Sequence, residues 1–544
     1  MKEKTGRLGI LLAFLSALPI AAAAQEKGLD QRIDEAFQPV ATWWESIVFY
    51  PMPLPAPLDI PIILYFLIGG ALFFTLAFGF VNLRLFPLAI NVVRGKYDDI
   101  ELAADSDHKE PHVENAEVNI VDGDIPDTIK DESHHGEVNH FQALSAALSG
   151  TVGLGNIAGV AIAMGIGGPG ATFWMIIAGL LGMSSKFVEC TLGVKYRDID
   201  ADGTVHGGPM YYLSRGLEEL KLAPVGKVLA VVFALFCIGG SFGGGNAFQA
   251  NQATSQITTL LGLEGGAVRT IIGIILAIFT AIVIIGGIKR IATVTEKLVP
   301  LMAIIYVIAS LIIVFAHITE VPAAIGQIFS GAFTPTAAVG GIAGVIIQGF
   351  RRAAFSNEAG AGSAAIAHSA VRTKYPASEG VVALLEPFID TVVICTMTAI
   401  VIVLFNMDGH FQYGGIDGNV MIDGQAVNGV DLTARAYNDV LPGFNAVLTI
   451  AVVLFAFSTL ISWSYYGLQA WKYLFGRSAA SDLTFKILFC IFVIIGAAST
   501  LGSVIAFSDA MILAMVFPNM IGLVFLFPKV KQELARYLAA IKGH

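Results

Sequence analysis

Charge is scarce in this chain. Asp, Glu, Lys and Arg make up 14% of its 544 residues, where a soluble protein of that length carries roughly a quarter. With 55% hydrophobic residues and a mean hydropathy of +0.73, that excludes a string of soluble domains. There is no H-E-x-x-H or P-loop pattern, and no intramembrane histidine suited to catalysis, so an intramembrane enzyme is not expected. The four cysteines (Cys190, Cys237, Cys395, Cys490) lie in apolar stretches without metal-ligand spacing and read as small buried hydrophobes. The net charge of −10 comes largely from two acidic loops and offers nothing to nucleic acid. No obligatory protein partner is evident.

Apolar runs of 18 residues or more are what the chain has in quantity, so it reads as an all-α polytopic protein whose partner is the lipid bilayer. Residues 1–24 combine Lys2, Lys4 and Arg7 with a short apolar core and Ala21–Ala24, a signal peptide with an uncleaved helix as the alternative. Residues 25–59 are amphipathic and carry Trp43 and Trp44, which suits a periplasmic membrane interface. A first span covers 60–82. An acidic cytoplasmic loop follows at 83–140, its middle too polar to bury a core; its histidines (His108, His112, His134, His135, His140) are spaced too irregularly for a metal site. Further spans are expected near 141–165, 168–192, 226–259, 267–287, 297–317, 337–356, 380–404, 443–471, 483–502 and 505–527, about eleven in all, with a tail at 531–544. Gly207–Leu220 is too polar to span and is expected along the surface.

Basic residues sort to one side. With the mature N-terminus outside, the inner connections hold Arg84, Lys96, Lys195, Arg197, Lys289, Arg290, Arg372, Lys374, Lys472, Arg477, Lys529 and Lys531. The outer ones hold Lys27, Arg32, Arg269 and Arg435. This is the positive-inside pattern, giving N-out and C-in.

After the first span the helices divide five plus five, 141–317 and 318–530. An odd number per half inverts the second half relative to the first. The first half opens on SGTVGLGNIAGVAIA (Ser149–Ala163), where Gly150, Gly153 and Gly155 weaken the helix by about 1 kcal/mol each relative to alanine. The second opens near Pro335, with Gly340, Gly341, Gly344 and Gly349 as the expected interruptions. Broken helices at matching positions of inverted halves point to a transporter's midplane site. Close helix packing through small residues is the alternative reading of the glycines.

The motifs SGTVGLGNIAG, GGPGATFWMIIAGLLG, GNAFQANQ, GIKRIATVTEKLVP, FSNEAGAGSAAIAHSA and EPFIDTVVICT resemble the alanine or glycine:cation symporter family, over roughly residues 60–530. Ile176 stands where the family commonly has Trp. The resemblance implies a LeuT-type 5+5 inverted repeat preceded by one extra helix, in a bacterial inner membrane, importing alanine or glycine with sodium as the coupling ion; the proton is the alternative ion. It implies sodium ligands at Ser149 and Val152 (carbonyls), Phe455 (carbonyl), Ser458 and Thr459 (hydroxyls). The substrate carboxylate would meet the N–H groups of Gly153, Leu154 and Gly155, at a half-helix N-terminus. Asn246, Gln249 and carbonyls near Gly340–Gly344 are candidates for the ammonium, and Ile342, Ile346 and Trp463 for bulky walls.

Ionisable groups inside a membrane cost about 2.5–3.5 kcal/mol each on insertion scales and need a reason. Glu189 is expected to brace the broken helices, with Asn156 beside them. Arg351, Arg352 and Glu358 are expected as gate ion pairs toward the inner face. Asp390 reads as a hydrogen-bond node or a second cation site, and Glu296 and Glu386 remain without a role. A channel or a transporter-like sensor is the competing class. Alanine against glycine, stoichiometry and oligomeric state are not legible.

Overall fold

The computed structural model describes residues 28–54, 60–102, 136–200, 203–334 and 341–542. The expected signal peptide, the centre of the expected acidic loop with His108, His112, His134 and His135, and 335–340 lie outside the described residues. The principal helices are α1 (Leu29–Val48), α2 (Ile62–Ala77), α3 (His140–Thr151), α4 (Gly155–Gly167), α5 (Gly170–Lys195), α6 (Ala223–Leu261) and α7 (Val268–Ile284). They continue as α8 (Gly287–Ala316), α9 (Gly341–Asn357), α10 (Ala364–His368), α11 (Pro376–Asp408), α12 (Asn445–Phe475), α13 (Ala479–Ala498) and α14 (Leu501–Lys542).

Among the described residues seven helices are long and apolar enough to cross a membrane, and the bent pair α3–α4 makes an eighth. The helices α2 and α7 are apolar but shorter, so the expected eleven is not reached by length alone. Elements far apart in the chain pack on each other: α3 on α10, α5 on the start of α11, and α7 on α13.

Four expectations change. The helix α9 runs unbroken through Gly344 and Gly349 to Asn357, and the second opening lies at Glu358–Gly362, where Glu358, Gly360 and Gly362 have φ of 55°, 90° and 87°. Gly349 is instead a packing residue, with Trp174 and the α5 backbone against its Cα. The stretch 337–356 is therefore the first half of a broken helix. Secondly, α14 continues to Lys542 with Tyr537 buried, so the described part of the expected tail, 531–542, is helix. Thirdly, Gly207–Leu220 turns its Met210, Tyr212, Leu213 and Leu217 side chains fully inward. Fourthly, both described ends of the 83–140 stretch are built in. Phe86–Val93 and Asp98–Leu102 are helical, and Val138 forms an isolated bridge with Val371 after α10, beside Glu137 N–H to Ala370 O (2.8 Å).

The amphipathic segment forms α1, whose Phe37, Ala41 and Val48 pack inward and whose Trp43 stays exposed. It lies along α14 and tethers two helix starts: Asp30 accepts from the N–H groups of Arg269 and Thr270, and Asp34 from that of Thr500. Carboxylates favour such N-termini.

Candidate functional site

The first broken helix opens at Val152 (φ −74°, ψ 87°), and α3 and α4 diverge by 50°. Side-chain amides take two backbone donors there. Gly153 N–H donates to Asn156 Oδ1 (2.9 Å), and Leu154 N–H to Gln249 Oε1 (3.1 Å). At Gly153 a Cβ would run into Thr459 Oγ1, so only glycine fits. Gly155 faces the other opening: a Cβ there would sit 3.2 Å from the Ser356 Cα. This glycine sets how closely α4 and α9 approach.

Three π-helical turns surround the openings, Gly155–Gly159, Gly243–Ala247 just before Gln249, and Phe388–Cys395 around Asp390. Such insertions re-aim side chains within an otherwise regular helix and recur at functional sites.

One face of α12 meets α3 through oxygen atoms. Ser149 Oγ donates to Ser458 O (2.9 Å), Ser462 Oγ donates to Ser149 Oγ (2.8 Å), and Thr459 Oγ1 donates to Ser149 O (3.2 Å). Ser458 Oγ back-bonds to Phe455 O (2.9 Å) on its own helix. Ser149, Phe455, Ser458 and Thr459 are thus brought together, with Val152 one turn from Ser149 on the same strand of backbone. All are buried, and a hard cation is suited by such a donor set.

Asp390 joins the two openings. Asn156 Nδ2 donates to its Oδ1 (2.6 Å), while Ser356 Oγ (2.9 Å) and Thr391 Oγ1 (2.6 Å) donate to Oδ2. Glu189 sits behind the second opening, where Asn519 Nδ2 donates both to Glu189 Oε1 and to Gly360 O (2.8 Å each). Glu358 accepts from Trp463 Nε1 (2.9 Å) and from Ser363 Oγ.

Other expected residues fall elsewhere. Asn246 donates to Phe489 O (2.7 Å) and faces α13 instead of the openings. Ile342 is 38% exposed at the start of α9, and Ile346 is half-buried. Arg351 and Arg352 do not lie at the basic-loop end. Arg351 Nε meets Asp509 Oδ2 (2.7 Å), Arg352 pairs with the same carboxylate, and Arg351 reaches Glu45 of α1 (3.3 Å). The reason is direction: α9 enters from the end where α1 lies, so its middle is still short of the opening. Glu358 belongs to the opening and not to this pairing.

Sequence reasoning missed Ser462, Asp509, Lys186, His368 and Glu379. Ser462 was legible as the next residue on the Ser458 face, four positions on. Asp509 is the one carboxylate within the apolar start of α14, and Lys186 the one cation before the last turn of α5.

The sequence pattern of the sodium:alanine symporter family matches residues 123–544. The chain belongs to that family. Similar proteins include the sodium/alanine symporter AgcS of Methanococcus maripaludis, 36% identical over 474 residues, 87% of this chain and 93% of that one. The putative sodium/proton-dependent alanine carrier protein YrbD of Bacillus subtilis is 36% identical over 410 residues, covering 74% and 81%. The crystal structure of MhsT in complex with L-phenylalanine superposes with a TM-score of 0.47 at 16% identity, covering 73% of this chain and 100% of that one. As a member of the sodium:alanine symporter family, this chain is a multi-pass membrane transporter of amino acids driven by a cation, and not an enzyme.

Proposed function

We propose that this transporter is a sodium-coupled symporter that imports alanine or glycine by alternating access. In this reading ten helices form two inverted halves behind one extra helix, α2, with the N-terminus outside and the C-terminus inside. The packing of α5 on the start of α11 and of α7 on α13, which hold equivalent places in this reading, supports that symmetry, and the positive-inside pattern supports the orientation.

One observation carries the reading: the two helix openings face each other across Asp390, and the oxygen-rich face of α12 abuts the first opening. A substrate carboxylate reaching the Gly153, Leu154 and Gly155 N–H groups replaces two neutral amide acceptors with a charged one, and charge-assisted bonds are roughly twice as strong. The released Gln249 amide is then free to serve the ammonium. Trp463 and the edge-to-face pair Phe248–Phe355 (4.9 Å) are the bulky neighbours that keep the cargo small. Sodium bound by the oxygens of Ser149, Val152, Phe455, Ser458 and Thr459 ties α3 to α12. That holds the opening in the shape the carboxylate needs. Two facing openings in an enclosed site favour a carrier over a channel, which needs a continuous pore.

Uptake of labelled alanine by proteoliposomes, driven by a sodium gradient or by a proton gradient alone, tests the reading. Sodium-dependent, saturable uptake with counterflow is expected. Uptake driven equally by protons without sodium would transfer the role to the alternative ion.

A further inference from the structure

Away from the openings, six buried side chains alternate acid and base. Glu101 Oε2 meets His140 Nε2 (2.7 Å), and His140 Nδ1 is bonded to Glu379 Oε2. Glu379 Oε1 meets His368 Nδ1 (2.5 Å), His368 Nε2 faces Glu386 Oε2 (3.4 Å), and Glu386 Oε1 meets Lys186 Nζ (2.9 Å). His140 uses both ring nitrogens and Glu379 both oxygens, while His368 Nε2 and Glu386 Oε2 face each other as an ion pair without a hydrogen bond. Glu101, at one end, lines a cavity of ≈ 300 Å³ with Arg94, Asp98, Asn139, His140 and Arg372, at the basic-loop end of the molecule. Lys186, at the other, is paired with Glu386 and lies within the electrostatic reach of the Glu189 and Glu358 carboxylates.

We propose that Glu101, His140, Glu379, His368, Glu386 and Lys186 form a proton relay between that cavity and Glu358, so that a proton accompanies the amino acid. The inference deepens the transport reading above and rests on it. Burying a charge costs several kcal/mol per ion unless it is paired. Three bases balance the three acids of the relay, and Glu189 and Glu358 are then two further carboxylates without a cation of their own, which makes them the acceptors. In the step, Glu101 takes a proton from cavity water. At the far end Lys186 gives a proton to the Glu189–Glu358 pair and is reprotonated by Glu386. In turn each imidazole and carboxyl passes one proton on and takes one from the group before it, rings and carboxyls turning over between transfers, so that one proton enters at Glu101 and one reaches the pair. Nothing is oxidised or reduced. Glu358 lies in the opening and accepts the Trp463 indole N–H, so its protonation is felt where α9 and α10 separate.

His140 is faced by Glu101 from the Asp98–Leu102 helix and by Glu379 from α11, and His368 by Glu379 and Glu386; beyond them Tyr537 of α14 donates to Glu101, and Lys186, Glu189 and Cys190 of α5 act on Glu386. A set of structural ion pairs would look similar at rest, but the two readings differ in protons carried per alanine.

The test uses the full chain in proteoliposomes with clamped membrane potential, a lumen-trapped pH dye and labelled alanine. Wild type should move protons with alanine. His368→Gln, which keeps hydrogen bonding but cannot relay, should lose the dye response while the solubilised protein still binds alanine. Glu101→Gln, at the rim, should show the same loss and decides the matter if the first variant does not fold. Alanine uptake without proton movement in wild type overturns the relay and leaves symport standing; absence of both overturns both. An unchanged ratio of protons to alanine in Glu101→Gln, whatever the rate, also overturns the relay.

Discussion

Thr459→Val probes the proposed sodium ligands with little change of shape, since valine keeps the branched side chain and replaces Oγ1 by a methyl group. In the structure that hydroxyl reaches across from α12 to the Ser149 carbonyl at 3.2 Å and lies against Gly153. As a hydrogen bond alone it contributes about 1 kcal/mol. Facing a bound cation it contributes more, about 1.5–3 kcal/mol if it matches hydrogen bonds to charged groups. At ~1.4 kcal/mol per tenfold, the sodium Kd should rise by roughly one to two orders of magnitude. Ser458→Ala should cost less, because the Ser458 hydroxyl already donates to Phe455 O within its own helix. Coupling is reciprocal, so alanine affinity at fixed, subsaturating sodium should fall and return as sodium saturates. Binding of labelled alanine to purified protein across a sodium titration measures both. If Thr459→Val keeps the parent's sodium dependence, the ion lies elsewhere, and the oxygens around Asn156 and Asp390 are the next place to look.

Other expectations follow from single contacts. Gly153→Ala forces a methyl against Thr459 and should lower stability by about 1–3 kcal/mol while abolishing alanine binding; thermal unfolding and binding assays check it, and full binding would refute the close approach. Asp390→Asn removes the carboxylate that accepts Asn156, Ser356 and Thr391, so alanine binding should drop more than in Ser356→Ala. Asp509→Asn strands Arg351 and Arg352, and breaking such a buried pairing costs about 3–5 kcal/mol; Glu45→Gln, half-exposed, should stay within about 1 kcal/mol. At the basic-loop end, burial pushes the Asp198 carboxyl up, but hydrogen bonds from Arg477 and Arg215 outweigh it and hold it down to about 2. Asp198 therefore stabilises the fold at neutral pH and loses that contribution as pH falls from its ordinary 3.8 through about 2. Asp198→Asn should flatten the melting temperature against pH within that window only.

Where the reading from residues succeeded, the signal was local. The opening at Gly153 was legible because three glycines and an asparagine within seven positions cannot hold a regular helix in competition with any alternative partner. The Ser458–Thr459 face was legible because helical spacing is fixed by 3.6 residues per turn. The second opening was missed for the same kind of reason. The glycines at 341, 344 and 349 advertise a break, yet they lie in a continuous helix, and their smallness serves contacts such as Gly349 on Trp174. The true opening, at Glu358–Gly362, has fewer consecutive glycines and is held apart by Trp463, Asn519 and Glu189 from other helices.

By itself, then, the sequence determined that the chain is a polytopic helical membrane protein, where its apolar helices run, and that its first half opens on a broken helix. Those are properties of short windows: hydropathy, periodicity and the cost of glycine. Only the tertiary structure decided which polar groups meet. Asp390 reaches Asn156 across 234 positions, Arg351 reaches Asp509 across 158, and His140 reaches Glu379 across 239. Buried polar groups must find partners somewhere, but packing, and not spacing along the chain, chooses which.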